Sequence, residues 1–211
     1  IIMANFTSEP RQGEEEVGKP FFESMGYKVH MCPFKWEGEA DLKYLYDNVY
    51  VGGYGMRSDI QAYEWMEKEF GMKIIKLEMV DEYLYHLDCS IFPLTKEKTL
   101  VCTELYTDEE LAQLSQYTNV INVEGDDALN GLTNSVRLGN TILCASNISE
   151  MTRADENYED EKHKIESLEK ICFNEGLEPV FFNLSEYMKS GAMLSCMMMH
   201  LNYVDYNKSL L

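Results

Sequence analysis

A repeated order of secondary-structure signals constrains the fold of this 211-residue chain more than any other feature. Apolar, strand-like runs lie on both sides of three helical segments. The runs before the helices are 49–51, 100–102 and 142–144, and the runs after them are 74–77, 120–123 and 180–182. The pattern recurs roughly every 45 to 50 residues, a period typical of repeat architectures. The sequence therefore predicts an α/β chain with roughly four modules and part of a fifth.

Polar turns follow the strands of this repeat and contain most of the residues that could do chemistry. The turns lie at 37–41, 86–88, 130–134 and 190–196. Equivalent positions of a repeat are equivalent in space, so the turns of modules that circle an axis meet near that axis. This symmetry predicts that Cys196 and His86 belong to one site.

The local pattern also predicts the individual elements. Periodicity and end signals indicate helices at 14–25, 59–70, 108–117 and 156–174. Strand signals lie at 1–6, 27–32, 48–52, 73–79, 83–92, 99–103, 119–123, 178–184 and 193–202. Ser58 and Thr107 are expected helix N-caps, and Gly139-Asn140 predicts a tight hairpin that joins 135–138 to 141–145.

The charge of the chain excludes some classes of function. It has 37 acidic and 18 basic side chains, which give a formal net charge of −19. Nucleic-acid binding needs clustered Lys and Arg, so we expect no nucleic-acid partner, whereas an acidic field would steer a cationic ligand inward. No apolar run reaches the ~18 residues of a membrane span, so we expect no membrane partner.

The six cysteines indicate a reduced, cytoplasmic chain. None forms a Cys-x-x-Cys pair and four lie in strand-like apolar runs, which is unlike a disulfide framework or a zinc site. The length fits one large domain, which we expect to span 1–211. Residues 1–6 are apolar and resemble a core strand entered in mid-fold, so we expect that N-terminal sequence is missing.

Cys196 begins the Met-rich run 196–199 after a turn of small residues. Cysteine is among the most buried residue types, so this thiol can be core filler. A thiol that does chemistry must form a thiolate beside a base or a cation, and His86 is the best partner in the chain. The local run leaves both interpretations of Cys196 open.

Two carboxylates are expected near His86 and indicate a site for a guanidinium group. Asp88 is near in sequence, and the repeat places Asp41 nearby. If 83–92 is a strand, His86 and Asp88 project from one face. They then form either a general base with a cation binder or a buried histidine satisfied by a carboxylate. Asp41 ends a Glu-Gly-Glu-Ala-Asp turn in which Gly38 lets a ligand approach the backbone. Carboxylates hold a guanidinium well, and with a thiol these groups predict hydrolysis at a guanidinium carbon.

Three runs occur in a fixed order along the chain: FKWEGEAD at 34–41, HLD at 86–88 and GAMLSC at 191–196. Together they resemble the guanidino-group-modifying enzymes, a superfamily of arginine deiminases, dimethylarginine dimethylaminohydrolases and amidinotransferases. The match covers nearly the whole chain. The resemblance implies a pentein-type α/β propeller of ββαβ modules around a pseudo-fivefold axis, with the N-terminal module incomplete or missing.

The resemblance also implies a hydrolase of arginine or a methylated arginine that needs neither metal nor cofactor. Cys196 would attack the guanidinium carbon, and Asp41 and Asp88 would hold the guanidinium nitrogens. His86 would protonate the leaving amine and then activate water. An amidinotransferase would use the same residues, and the fold also occurs in a non-catalytic binding protein, so both alternatives stay open. The oligomeric state is open too, with a homodimer among the alternatives.

Other positions have weaker or conflicting signals. Glu37 and Asn134 lie in the polar turns and are candidate substrate-binding residues, although Asn134 can instead cap a turn. Arg57 can bind a substrate carboxylate or make a structural ion pair. Many hydrolases of the superfamily have an acidic residue just before this arginine, where this chain has Met56. Either Asp59 or another carboxylate then orients the catalytic histidine, or no carboxylate does.

Overall fold

The chain divides into two compact units, Ile1–Leu87 and Asp88–Leu211. A computed structural model describes residues 1–201, and positions 202–211 lie outside the described residues. The expectation that residues 1–211 form a single domain stays a prediction.

The first unit contains a three-stranded sheet and a short strand pair. Its strands are β1 (Ile2–Met3), β2 (His30–Met31), β3 (Leu42–Tyr46), β4 (Val49–Tyr54) and β5 (Lys73–Glu78), and its helices are α1 (Glu14–Ser24) and α2 (Ile60–Phe70). Strand β4 is central, because it pairs antiparallel with β3 and parallel with β5. Strands β1 and β2 pair in parallel, with α1 between them in sequence.

Helix α2 packs closely against this sheet through one apolar face. Ala62, Tyr63 and Met66 are fully buried, and their spacing places them on the same side of the helix. A Cβ atom at Gly52 would come within 2.9 Å of the Tyr63 ring. The glycine therefore lets the tyrosine lie directly on the central strand.

The hydroxyl of Tyr63 joins α2 to the polar turn before β3. It lies 2.8 Å from the carbonyl oxygen of Asp41 and 2.6 Å from that of Gly53. Burial raises the pKa of Tyr63 well above its ordinary value, so the hydroxyl keeps the proton that it donates. The backbone of Asp41 is thereby held beside the central strand.

Replacing Tyr63 by phenylalanine should lower the stability of the protein. The change leaves buried carbonyl oxygens without their donor, which costs about 1–3 kcal/mol. Urea denaturation should show this loss as a lower midpoint with an unchanged slope. Tyr83→Phe is the matched control, because Tyr83 is 79% exposed and its change should alter stability by less than about 0.5 kcal/mol. Equal stability of the two variants would contradict the prediction.

The second unit contains two more three-stranded sheets within residues 88–201. Its strands are β6 (Ile91–Pro93), β7 (Lys98–Val101), β8 (Asn119–Asn122), β9 (Val136–Leu138), β10 (Thr141–Ala145) and β11 (Glu178–Phe182). Its helices are α3 (Asp108–Leu114), α4 (Gly125–Leu129), α5 (Tyr158–Glu175) and α6 (Ser185–Met188). None of the helices found in residues 1–201 has the length and apolar character needed to cross a membrane.

The predicted repeat is confirmed, with a different count of modules. Each three-stranded sheet has a central strand that pairs antiparallel with the strand before it and parallel with the strand after its helix. Residues 1–201 thus contain three ββαβ modules, and β1, α1 and β2 make a further, partial one. Over residues 1–201 the estimate of four modules and part of a fifth was too high, because β1 and β2 form a pair without the third strand of a complete module.

Two predicted strands are wrong over most of their length, although 91–92 of the predicted strand 83–92 do lie in β6. Residues 83–90 form a loop and the 3-10 turn Leu87–Cys89, because side chains satisfy their backbone. Asp81 accepts the N–H groups of Tyr83 and Leu84, so no strand ladder forms there. The predicted closing strand 193–202 contains the 3-10 turn Ser195–Met197 instead, and its last residue lies outside the described part of the chain.

The predicted turns and caps have mixed outcomes. Gly139-Asn140 does join the antiparallel strands β9 and β10, and Thr107 makes the full capping box with Glu110 at the start of α3. Ser58 is not the cap of α2, because the helix starts at Ile60 with Asp59 as its N-cap. The hydroxyl of Ser58 is used elsewhere.

Candidate active site

His86, in the first unit, lies between two buried carboxylates. Its Nδ1 is 3.0 Å from Asp41 Oδ1, and its Nε2 is 3.3 Å from Glu37 Oε2. Only 3% of the Glu37 side chain and 1% of the Asp41 side chain are exposed. Because carboxylates accept hydrogen bonds and do not donate them, a ring with both nitrogens facing them fits the doubly protonated imidazolium.

Asp41 is engaged through both carboxylate oxygens. Oδ1 also accepts the backbone N–H of Leu87 at 3.1 Å, and Oδ2 accepts the hydroxyl of Ser58 at 2.6 Å. These contacts make Asp41 a group that orients His86, in addition to its expected role toward a guanidinium. Among the alternatives raised by Met56, these contacts agree with the one in which a carboxylate other than Asp59 orients the histidine.

Glu37 connects the histidine to Arg57 and to the N-terminal segment. Its Oε1 accepts the backbone N–H of Thr7 at 3.0 Å and lies 3.5 Å from Arg57 Nη1. The guanidinium carbon of Arg57 lies 4.8 Å from the centre of the Tyr85 ring, a distance at which cation–π attraction contributes. Arg57 therefore makes the ion pair that was one of its two expected roles.

The charges of this cluster balance when His86 is protonated. Glu37 and Asp41 are negative, and Arg57 and an imidazolium are positive. Buried carboxylates are costly unless they are paired and hydrogen-bonded. An imidazolium at this place would donate through both ring nitrogens, and a protonated histidine can give a proton to a departing amine.

Cys196, in the second unit, is an exposed thiol. It lies on the 3-10 turn Ser195–Met197, and Nδ2 of Asn134 is 3.3 Å from its Sγ. The interpretation of Cys196 as core filler is therefore wrong. An exposed sulfur beside an amide donor can meet a small molecule that a buried sulfur cannot reach.

Asn134 belongs to residues 130–135, which we name the asparagine turn and of which 131–135 are buried. The buried Lys164 donates to the carbonyl oxygen of Asn130 at 3.1 Å. Gly131 has a φ of +85°, and a Cβ there would overlap the sulfur of Met193. The glycine therefore allows both the backbone conformation and the close packing of the segment that carries Cys196.

The segment that contains Asp88 is hydrogen-bonded to the same turn. It is fully buried and lies in the 3-10 turn Leu87–Cys89. The hydroxyl of Thr133 donates to the carbonyl oxygen of Cys89 at 2.6 Å. The asparagine turn thus contacts both the segment of Asp88 and the segment of Cys196.

Known proteins similar to this chain are named for reactions of arginine or methylated arginine. The bifunctional arginine dihydrolase/ornithine cyclodeaminase AgrE of Nostoc sp. is 24% identical over 93% of this chain and 26% of its own length. The N(G),N(G)-dimethylarginine dimethylaminohydrolase of Mycobacterium tuberculosis is 27% identical over 92% of this chain and 59% of its own length. No protein-family model matches the sequence.

The fold matches that of a solved cyanobacterial enzyme. The product-bound N-terminal domain of ArgZ, an arginine dihydrolase, superposes with a TM-score of 0.78 at 24% identity, over 92% of this chain and 67% of that one. The resemblance to the guanidino-group-modifying enzymes is confirmed. The expected pentein-type α/β fold class of this superfamily is confirmed as well.

The superfamily's expected residues fall into two contact groups. In the first unit, His86 contacts Glu37 and Asp41, and Arg57 contacts Glu37. In the second unit, Asn134 contacts Cys196. Within residues 1–201, no group of three or more His, Cys, Asp or Glu side chains could hold a metal ion.

Three further residues of these groups were missed by the sequence analysis. The Ser58 hydroxyl accepts the N–H of Glu37 at 3.1 Å and donates to Asp41, but a serine before a helical pattern reads as an N-cap. The one signal for Tyr85 and Ser195 was their position in the sequence, directly before His86 and Cys196. A sequence pattern does not show that a neighbour in the chain is also a contact.

Cys196 should react faster with a haloacetamidine than the buried cysteines do. Burial raises the pKa of Cys172 to about 11 and also raises the pKa of Cys32 and Cys144. Since the thiolate is the reactive form, these three thiols stay protonated and unreactive near pH 8. Peptide mapping after brief treatment with chloroacetamidine should locate the label at Cys196, and unfolding in urea should expose all six cysteines. Equal labelling of all six in the folded protein would contradict the prediction.

Proposed function

We propose that the chain carries the catalytic groups of a hydrolase that cleaves a guanidinium C–N bond in arginine or a methylated arginine. The observation that carries the proposal is His86, held through both ring nitrogens by Glu37 and Asp41. Such a histidine is prepared to give a proton, and the exposed thiol of Cys196 can act as the nucleophile.

The first step forms a covalent intermediate. The Cys196 thiolate attacks the guanidinium carbon, so that a C–S bond forms. His86 gives its proton to the leaving nitrogen, the C–N bond breaks, and ammonia or a methylated amine departs. The substrate is then attached to the cysteine sulfur as an amidino group. The positive charge of the bound guanidinium favours the thiolate that starts this step.

The second step releases the product with water. His86, now neutral, takes a proton from a water molecule whose oxygen attacks the same carbon. The C–S bond breaks, the thiolate returns to Cys196, and the ureido product leaves as citrulline. One water is consumed and one amine is released, so the scheme balances without an oxidant or a reductant.

Binding of the guanidinium is assigned to buried carboxylates. Asp88 is buried and follows His86 by two residues, and carboxylates hold a guanidinium well. We assign Asp88 to the substrate nitrogens and Asp41 chiefly to orienting His86, because both oxygens of Asp41 are already hydrogen-bonded. Arg57 is assigned to holding Glu37 through their ion pair.

Structures of a relative support a cysteine intermediate. The N-terminal domain of ArgZ is known covalently bound to a reaction intermediate, and a variant with one cysteine replaced by serine is known bound to substrate. The chain spans about a quarter of AgrE and 59% of the mycobacterial enzyme, so its activity as a whole protein is part of the proposal. A cytoplasmic location, a homodimer and the absence of nucleic-acid and membrane partners stay predictions.

The test is to incubate the intact protein with arginine and, separately, with dimethylarginine. Citrulline with ammonia identifies the first substrate, and citrulline with dimethylamine identifies the second. An amidino group passed to an added amine, without citrulline, would show a transferase instead. No product of either kind, together with a Cys196 that labels no faster than the other cysteines, would show that the fold here serves binding.

A further inference from the structure

Asn134 contacts the proposed nucleophile in a way that a substrate-binding role does not explain. Its side chain is buried, with only 1% of the residue exposed. Oδ1 accepts the backbone N–H of Ser195 at 2.8 Å, and Nδ2 lies 3.3 Å from Cys196 Sγ. Both ends of the amide are therefore used on the segment that carries the thiol.

The backbone determines which way this amide points. A peptide N–H can only donate, so the atom that faces Ser195 must be the carbonyl oxygen Oδ1. The NH₂ group of Asn134 then faces Cys196, and the sulfur is the acceptor. A thiolate accepts more strongly than a neutral thiol, because hydrogen bonds to charged groups are the stronger ones.

The asparagine turn holds this donor in place. The N–H of Asn134 bonds to the carbonyl oxygen of Gly131 at 3.2 Å, and the Ser135 hydroxyl donates to the carbonyl oxygen of Leu132 at 2.7 Å. Lys164 Nζ donates to the carbonyl oxygen of Asn130, the first residue of the turn, and to that of Ala145 at the end of β10. A donor fixed in this way can stabilise charge without first being reorganised.

We propose that Asn134 is a positioning residue that orients the Cys196 sulfur and stabilises its thiolate. Its importance for turnover rests on the proposed function, in which Cys196 is the nucleophile. Its effect on the thiol does not, because thiolate formation also governs the reaction with a simple alkylating agent. The proposal can therefore be tested without any substrate.

The decisive variant is Asn134→Asp, which has the same shape. It keeps an oxygen for the N–H of Ser195 but places a second acceptor oxygen where the N–H donor faced Cys196. The rate of Cys196 alkylation by iodoacetamide, an uncharged reagent, should fall at least about tenfold, as expected when a hydrogen bond to a charged group is lost. Asn48→Asp is the control, because it adds the same charge at an exposed side chain outside the asparagine turn, where the amide also donates to a backbone carbonyl, that of Gly71. Its rate should stay within about twofold of the wild type.

Two further measurements separate positioning from a merely structural role. The unfolding midpoint of Asn134→Asp should fall below that of Asn48→Asp, because a carboxylate replaces a buried amide, so the alkylation rates are compared at a temperature where both proteins are folded. With substrate, Asn134→Asp should lower kcat more than it changes KM. A folded Asn134→Asp protein that alkylates at the wild-type rate would overturn the proposal. If the wild type forms no product from any guanidine tested, the proposed function is refuted, but the alkylation result still tests the role of Asn134.

Discussion

Cys196→Ser should abolish citrulline formation from whichever guanidine the intact protein uses. A serine hydroxyl is not ionised near neutral pH, so it cannot replace the thiolate that attacks the guanidinium carbon. Removing a nucleophile typically costs more than about a thousandfold in turnover. Citrulline assays at saturating substrate measure the loss, and mass spectrometry of the wild type during turnover should detect the amidino group on the peptide that contains Cys196.

The matched control is Cys172→Ala. Cys172 is buried in α5 and its pKa is raised to about 11, so it has no thiolate to contribute at neutral pH. This variant should keep turnover within about twofold of the wild type. A Cys196→Ser protein with substantial turnover would rule out the covalent mechanism, even if the fold and the substrate were as proposed.

His86→Asn should lower kcat by about 10²–10⁴-fold, the usual effect of losing a general acid and base. The amide can still donate to one carboxylate, but it cannot protonate an amine or deprotonate water. It also leaves the buried pair Glu37 and Asp41 with less positive charge nearby, so the unfolding midpoint should fall as well. Comparing kcat with the midpoint, measured on the same protein, separates lost chemistry from lost folding.

The chain offers a second histidine–aspartate pair as the control. His163 Nδ1 lies 3.0 Å from Asp127 Oδ1, and its side chain is 55% exposed. This hydrogen bond raises the pKa of His163, yet the pair has no assigned part in the reaction. His163→Asn should therefore leave kcat within about twofold of the wild type. Equal losses in the two variants would show that His86 acts through stability alone.

The repeat was predictable from sequence because it depends on local periodicity. Strands β4, β7 and β10 are short apolar runs followed by clear helical patterns, and Gly71 and Gly176 end their helices with positive φ. Helices α4 and α6 were missed because each spans one turn or little more, which is too short for a period to appear. Loop 83–90 was read as a strand because aromatic residues such as Tyr83 and Tyr85 favour β structure, but Asp81 accepts the N–H groups of Tyr83 and Leu84 instead.

The candidate site was predictable in its residue types but not in its contacts. The histidine, the thiol and the carboxylates were proposed from the sequence because these are the groups that guanidinium chemistry needs, and the structure places His86 in contact with two of the carboxylates. That Asp41 faces His86 could not be predicted, since both carboxylate oxygens are engaged through tertiary contacts. Asn134 was expected to touch substrate or to cap a turn, and only the structure shows its amide between Ser195 and Cys196.

Because the sheets are modular, each sheet can form at a different time from the contacts that join distant parts of the chain. Each sheet is made from one continuous stretch, 42–78, 91–122 or 136–182, so it can form during synthesis as soon as that stretch has emerged. The contacts around the reactive groups join more distant residues, 45 positions apart for Asp41 and His86 and 62 for Asn134 and Cys196. Because Cys196 follows the last of these strands, its contact with Asn134 can form only after all three sheets have emerged, whereas the contact between Asp41 and His86 can form before the second sheet.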